Sequence, residues 1–186
     1  MKRGGGRAKG SSFERHIAHA ILAAANESTI ESFDSEDCYR TPMSGGHRAS
    51  KASDPGDLVI SPELSKYFPF IVECKKQEVL EMWHFLIPEA QWQPSWDEPK
   101  WLHQACEAAA IDPMERYPLL IMTRNFLPEF CAFPLTASIP APYRELSVRG
   151  IFQYQGKVWR IELFDYMLCA LTLCVKKHII WKGRSS

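Results

Sequence analysis

Hydrophobic residues concentrate in two short runs near the middle of the chain, Asp57 to Ile60 and Phe68 to Lys76. Both runs are short and rich in β-branched or aromatic residues, a composition that predicts β-strands. Because successive side chains of a strand point to opposite faces, Glu73 and Lys75 share one face. The segment Ser61-Pro62-Glu63 between the runs is long enough to predict a hairpin, which would bring the carboxylates of Asp57 and Glu73 to one end of the sheet.

Near the N-terminus, an apolar stripe at helical spacing predicts a helix with Ser11 or Ser12 as its N-cap. Glu14 falls at the border of this stripe. An acid in the first turn commonly stabilises the helix dipole, and the alternative is that Glu14 faces a functional site. The stripe consists of Phe13, Ile17, Ala20, Ile21 and Ala24.

The second half of the chain alternates predicted helices and strands. The segment Pro88–Trp101, with three Trp and three Pro, has no clear period and is interpreted as a lid or an interface. The apolar helix at the C-terminal end is interpreted as core or as a dimer interface, because it is too short to span a bilayer. The predicted elements are helices over Val79–Phe85, Lys100–Ala110 and Phe164–His178, and strands over Tyr117–Thr123, Glu129–Phe133 and Lys157–Leu163. This order predicts an α/β fold with a mixed central sheet flanked by helices, in a single domain.

Composition sets limits on this interpretation. A chain of 186 residues with 46% hydrophobic content fits one domain with a substantial core. The 22 basic and 22 acidic residues cancel, so binding of nucleic acid has to depend on local charge. The six cysteines form no C-x-x-C, which argues against zinc and disulfides and favours reduced thiols. With no apolar signal segment at the N-terminus, we expect a cytoplasmic protein.

Asp57, Glu73 and Lys75 together can build a metal-dependent phosphodiesterase. A Glu and a Lys buried without partners at the end of an apolar strand would cost about several kcal/mol, and a divalent cation would supply the partner. Mg²⁺ prefers oxygen ligands, here Asp57, Glu73 and a backbone carbonyl such as that of Cys74, and Mn²⁺ is an alternative. Lys75 would orient the attacking water or stabilise charge on the phosphate. Glu-x-Lys is also a common cross-strand ion pair, and Asp54 is a weaker candidate for the first metal position.

Basic residues suggest where DNA would bind. The Gly- and Pro-rich loop over Cys38–Arg48 and its flank carry Arg40, Arg48 and Lys51, which suit phosphates. Residues 1–10 contain no acid, and we predict that they form a flexible basic arm in which Arg7 and Lys9 follow a phosphate backbone. The alternative is a solubilising terminus.

Four ordered motifs make the chain similar to the archaeal-type (Hjc-like) Holliday junction resolvases and their phage relatives, within the PD-(D/E)xK nuclease superfamily. The resemblance covers about residues 9 to 76 and is weaker in the second half. The matching residues are Gly10, Ser11, Glu14 and Arg15, then Arg40, Pro42, Ser44, Gly45 and Gly46, then Gly56, Asp57 and Leu58, and finally Val72, Glu73, Cys74, Lys75 and Lys76.

The resemblance implies a restriction-endonuclease-like sheet and a role for each matched group. Glu14, Asp57 and Glu73 would be acidic residues of the metal site, with Lys75 as the catalytic lysine and Ser44 near the scissile phosphate. Arg15, Arg40 and Lys76 would contact the DNA. The nuclease domain would span residues 11–180, followed by a basic tail over residues 181–186.

We therefore expect a Mg²⁺-dependent endonuclease of a prokaryotic cell or phage. It would act as a homodimer on four-way DNA junctions, with each subunit cutting one strand. One alternative is a restriction or repair nuclease that cuts duplex or flap DNA. Another is a DNA-binding module that has lost its activity. The intact set of two acids and a lysine argues against the last.

Overall fold

The computed structural model describes residues 5–28, 30–42, 55–146 and 149–183. It confirms the predicted α/β fold, in which helices flank a five-stranded mixed sheet. The helices are α1 (Gly5–Asn26), α2 (Pro62–Ser65), α3 (Asp97–Ala110), α4 (Ala141–Arg144) and α5 (Phe164–Lys176). The strands are β1 (Cys38–Arg40), β2 (Leu58–Ile60), β3 (Phe70–Gln77), β4 (Tyr117–Arg124), β5 (Phe130–Pro134), β6 (Gly150–Tyr154) and β7 (Lys157–Leu163). Two short 3-10 helices occupy Met82–Leu86 and Glu89–Gln91.

The main sheet has the strand order β3-β4-β5-β7-β6. β3 and β4 are parallel, with Glu73 opposite Leu120, and the remaining neighbours are antiparallel. The parallel pair needs a crossover connection, and this connection contains α3. Among the described strands, β3 therefore forms one edge of the main sheet, and two of the predicted catalytic residues, Glu73 and Lys75, lie on this edge strand.

Helices cover both faces of the sheet, so β3 is buried on both sides from Phe70 to Cys74. α1 and α5 pack on the face that carries Phe70, Val72 and Cys74. α3 packs on the opposite face, where Ile71 contacts Ala108 and Ala109. Burial on both faces explains why this strand is almost continuously apolar until its charged end.

A buried arginine, Arg116, forms hydrogen bonds to the ends of both β2 and α2. Arg116, which is 2% exposed, pairs with Asp112 through Nη2 at 2.9 Å and Nε at 3.1 Å. Its Nη1 also donates to the carbonyl of Ile60 and to the hydroxyl of Ser65, each at 3.3 Å. Arg116 therefore holds the end of β2, the strand that begins directly after Asp57.

The predicted start of the first helix is wrong, because α1 begins at Gly5 rather than next to a cap at Ser11 or Ser12. The upstream turns contain Gly5, Gly6 and Gly10, which disfavour a helix, so local preference does not account for this extension; Arg7, Ala8 and Lys9 are compatible with it. Part of the segment predicted to be an arm is thus helical in its backbone. The predicted loop over Cys38–Arg48 also begins with a strand, β1, whose Cys38 is buried and whose Tyr39 is exposed.

The predicted hairpin between the two apolar runs is also wrong. β2 pairs with β1 in a separate antiparallel ladder, in which Cys38 lies opposite Ile60. The connection towards β3 forms α2, because the hydroxyl of Ser61 caps the backbone N–H of Leu64 and Pro62 stands in the first turn. Asp57 still reaches β3, but through individual hydrogen bonds and not through a strand ladder.

The C-terminal part matches most of the predicted elements and adds the short helix α4 and the strand β6. β6 was not predicted, and the helix expected over Val79–Phe85 is a 3-10 helix that begins at Met82. The core alternative is correct for α5, because Met167, Leu171 and Val175 are fully buried in this chain. Trp181, assigned by sequence to the tail, is 9% exposed and packs edge-on against Tyr117.

Within the described part of the chain, no helix has the length and apolar character needed to cross a membrane.

Candidate active site

Asp57 is held at the edge of β3 by two hydrogen bonds. Its backbone N–H donates to the carbonyl of Val72, and its Oδ2 accepts from the backbone N–H of Cys74, both at 2.8 Å. The preceding residue, Gly56, has a φ of +95°, and a Cβ there would lie 2.8 Å from the Val72 oxygen. Glycine is required here because both the backbone angle and the close approach exclude a side chain.

Glu73 and Lys75 share one face of β3, as the strand period predicted. Lys75 Nζ donates to Glu73 Oε1 at 2.7 Å, and the two side chains are 20% and 5% exposed. The other carboxylate oxygen, Glu73 Oε2, is buried and has no hydrogen-bond partner. A buried carboxylate oxygen without a partner is costly, so this atom is a natural ligand for a cation.

Glu14 is also buried at this edge, at 8% exposed, on the face of α1 that packs towards β3. Its Oε2 accepts a hydrogen bond from Arg40 Nε, which joins the first helix to β1. Two of the residues predicted for separate roles, one in the metal site and one on the DNA backbone, therefore form an ion pair with each other.

Electrostatic interactions confirm that the acidic groups lie near one another. Burial and the negative charge of Glu73 raise the pKa of Asp57 to about 7, with a smaller contribution from Glu14; the Cys74 N–H and Lys75 act in the opposite direction. Burial raises the pKa of the Cys74 thiol well above its ordinary value, and the charges of Asp57, Glu73 and Glu14 add to that shift. A buried carboxyl whose pKa is raised by burial and a neighbouring acid is typical of a site that can bind a divalent cation.

The donor set fits Mg²⁺ or Mn²⁺, with help from the backbone. Since the Val72 carbonyl and the Cys74 N–H both face Asp57, the carbonyl of Cys74 points to the same open edge of β3. Asp57, Glu73 and that carbonyl would supply hard oxygen ligands and leave positions for water and phosphate. Among the residues that the structure describes, no three His, Cys, Asp or Glu side chains converge closely enough to hold an ion by themselves.

The other predicted site residues are only partly described. Arg15 is exposed on α1, and Lys76 is exposed with Nζ 6.0 Å from the centre of the Phe13 ring. Arg7 and Lys9 belong to α1, but only their backbone is described. Ser44, Arg48, Lys51 and Asp54 lie outside the described residues.

Sequence reasoning missed a buried polar pair beside the site. His84 Nδ1 and Glu98 Oε2 are 2.9 Å apart, and both residues are less than 10% exposed. Only Glu98 belongs to the Trp-rich segment Pro88–Trp101, and nothing in the local sequence indicated that it would meet His84.

Comparison with known proteins identifies the family of the chain. Neither the curated proteins nor the solved structures include a match to the chain. The family model described as "Phage putative PDDEXK endonuclease" matches residues 5–180, which include α1, β2 and β3 with all four of Glu14, Asp57, Glu73 and Lys75. The PD-(D/E)xK nuclease assignment made from the sequence is therefore confirmed at the level of the superfamily, and the chain belongs to this phage family of PDDEXK endonucleases.

Proposed function

We propose that the protein is a Mg²⁺-dependent endonuclease that cuts DNA at branch points, with the four-way (Holliday) junction as its substrate. The observation that carries the nuclease part is the buried, unpartnered Glu73 Oε2, next to Asp57 and with Lys75 on the opposite carboxylate oxygen. Buried carboxylate oxygens are usually hydrogen-bonded, and proximity to a second acid, Asp57, distinguishes Glu73 Oε2 from the other such oxygen in the described chain, Glu162 Oε2.

Asp57, Glu73 and the Cys74 carbonyl are the residues that would hold the ion. When bound, a divalent cation lowers the pKa of coordinated water and neutralises charge on the phosphate. Asp57 is placed for this role by its bonds to Val72 and Cys74, so its position relative to Glu73 is set by the backbone of β3. Such a preorganised arrangement needs little rearrangement when substrate binds.

Lys75 is the group placed to act on the reacting water and phosphate. Its ammonium carries three donors, and one of them is used by Glu73. The remaining donors can orient a water molecule or contact a phosphate oxygen. In hydrolysis the water oxygen bonds to phosphorus, the ester P–O bond breaks, and the leaving oxygen takes up a proton.

Glu14 and Arg40 form the border of the proposed site. Their ion pair places a guanidinium beside the acidic cluster, where it would contact a phosphate next to the scissile one. We retain Ser44, Arg48 and Lys51 as proposed DNA contacts, together with Arg7, Lys9, Arg15 and Lys76.

The junction as substrate is supported by the order of the four motifs that the chain shares with junction resolvases. Paired incision of a four-way junction needs two active sites related by two-fold symmetry, so the proposal includes a homodimer.

The test is cleavage of a labelled immobile four-way junction beside linear duplex and flap DNA of matched sequence. Each DNA is incubated with Mg²⁺, with Mn²⁺ or with EDTA, using the wild type, Glu73→Gln and Glu107→Gln. Glu107 is an exposed glutamate of α3 and provides the matched control. We expect paired nicks in the junction that require metal and are lost only in Glu73→Gln.

Cutting of duplex or flap DNA in preference to the junction would replace the branched substrate by a restriction or repair substrate. Binding of DNA without cleavage under any metal condition would favour the inactive DNA-binding module. Equal activity of Glu73→Gln and Glu107→Gln would contradict the assignment of the active site.

A further inference from the structure

A cavity of about 630 Å³ opens at the ends of β3 and β4. Lys76 and Gln77, which directly follow the catalytic Lys75, line one side, and Asn125, the residue after β4, lines another. The volume is within the usual range of small-molecule sites, about 300–1,000 Å³. DNA bound across Glu73 and Lys75 would pass the mouth of this cavity.

Aromatic rings form a large part of the cavity wall. The rings of His84 and Trp96, which both line the cavity, are stacked with centroids 3.9 Å apart and planes 9° apart. Trp83 supports this stack edge-on, at 4.3 Å from His84 and 5.6 Å from Trp96. Trp96 lines the cavity and remains partly exposed, so part of its indole is accessible to a ligand there.

The stack is held in a fixed position by Glu98, which is 4% exposed. One of its carboxylate oxygens lies 2.9 Å from His84 Nδ1, and the other accepts a hydrogen bond from the backbone N–H of Glu81 at 3.0 Å. The chain at Glu81 and His84 is thus connected to α3 at the cavity. A rigid aromatic surface binds a ligand with a smaller loss of conformational entropy than a mobile one.

The charge of the lining indicates which part of a nucleotide would enter. Four carboxylates line the cavity, against one lysine. Such a lining repels a phosphate, and carboxylates accept hydrogen bonds from the exocyclic amino groups of bases. The four acids are Glu78, Glu81, Asp97 and Glu98.

We propose that this cavity binds one unpaired nucleobase of the DNA substrate, stacked on Trp96, while the phosphate backbone stays outside at the catalytic edge. The inference rests on the proposed function and narrows its substrate class to DNA in which a base is released from pairing near the cut. Aromatic platforms of this kind bind bases largely without regard to sequence.

The test compares two branched DNAs that differ at a single unpaired nucleotide next to the branch point. One carries adenine at this nucleotide, and the other carries an abasic residue with the same backbone. The full-length protein is titrated with each DNA in EDTA, which prevents cleavage, and the ratio of the two Kd values is measured. We expect the wild type to bind the adenine DNA roughly tenfold more tightly, on the scale of one base–aromatic stacking contact.

Variants locate the effect within the cavity. Trp96→Ala should reduce the ratio to about one, and Trp96→Phe, which keeps a ring, should retain most of it. Trp92→Ala is the matched control, because Trp92 stacks on Tyr154 and is not among the lining residues. A ratio of affinities is independent of the fraction of folded protein, so partial misfolding of a variant would not imitate the result.

Equal affinity of the wild type for the two DNAs would overturn the inference. The acidic lining would then favour a different occupant, a cationic side chain of a partner. A preference for adenine that persists in Trp96→Ala would overturn it as well. Cleavage with Mg²⁺ is measured separately on both DNAs. A base-dependent ratio of Kd values without any cleavage would refute the proposed nuclease function but support the base site. Cleavage with a ratio of one would support the nuclease function but refute the base site.

Discussion

The carboxylate of Asp57 accepts a hydrogen bond from the backbone N–H of Cys74, at 2.8 Å. This bond connects Asp57, which directly precedes β2, to β3, the strand that carries Glu73 and Lys75. The site therefore depends on the alignment of two chain segments that are not neighbours in a common sheet, and changes to either segment should affect activity and stability in distinguishable ways.

Asp57→Asn should abolish cleavage and preserve DNA binding, because the amide is a poorer cation ligand while the phosphate contacts are unchanged. We expect the rate to fall by at least about 10²- to 10³-fold, the scale reported for loss of one preorganised catalytic group. The measurement is single-turnover cleavage together with binding in EDTA. Loss of binding together with cleavage would indicate misfolding or a structural role for the carboxylate.

The stability of the metal-free protein should depend on the protonation of Asp57. Burial and Glu73 raise the pKa of its carboxyl from 3.8 to about 7, so the folded state retains a proton that the unfolded chain releases in this interval. The free energy of unfolding in EDTA should therefore decrease between about pH 4 and pH 7, by on the order of 2 kcal/mol from this group.

Urea unfolding across this pH range, for the wild type and Asp57→Asn, isolates the contribution of that residue. The difference in stability between the two proteins should grow in favour of the variant as pH rises. Mg²⁺ should stabilise the wild type at neutral pH, because it binds only the folded site. A pH-independent difference would show that Asp57 ionises normally in the folded protein.

Gly56→Ala should destabilise the protein strongly. The new Cβ would lie 2.8 Å from the Val72 carbonyl oxygen, in a backbone conformation with φ +95°. We expect a loss of about 2–4 kcal/mol, composed of backbone strain and displacement of Asp57. Gly156→Ala is the control, since Gly156 also has a positive φ, +70°, but nothing within 4 Å of its Cβ position. The control should lose about 1 kcal/mol, and equal losses would contradict the steric argument.

Arg116→Met should cost about 3–5 kcal/mol, because it leaves the Asp112 carboxylate buried without its partner. Denaturant unfolding measures the loss. Lys100→Met removes a pair with Asp97 in which both side chains are more than half exposed, and should cost less than about 1 kcal/mol. Combining Arg116→Met with Asp112→Leu should recover part of the stability. No recovery would show that the contacts of Arg116 with Ile60 and Ser65 carry most of the effect.

Strand β3, which carries Glu73 and Lys75, could be predicted from the sequence because its signals are local. The alternation of side chains places Glu73 and Lys75 on one face whatever surrounds them, and the salt bridge between them confirms it. The core helix α5 is similarly evident from a long apolar run. The start of α1 was not, because Gly5, Gly6 and Gly10 disfavour a helix and Ser11 or Ser12 offered a cap, so no local signal indicated a start at Gly5.

Features that depend on contacts between residues distant in the chain could not be predicted from the sequence. β1 has only three residues and exists as a strand because Leu58–Ile60 pairs with it. The stack of His84 on Trp96 requires Glu98 of α3 to hold the histidine, and no local period indicates that contact. The ion pair of Glu14 with Arg40 likewise joins residues 26 positions apart.

Asp57 has a second effect on the edge strand β3. The exposed edge of a sheet offers unpaired N–H and C=O groups to which a strand of another molecule can add. On the outer side of β3, the Val72 carbonyl and the Cys74 N–H are both engaged by Asp57. Asp57, the acid we propose as a metal ligand, thereby also occupies two of the backbone groups through which a strand of another molecule could add to this edge.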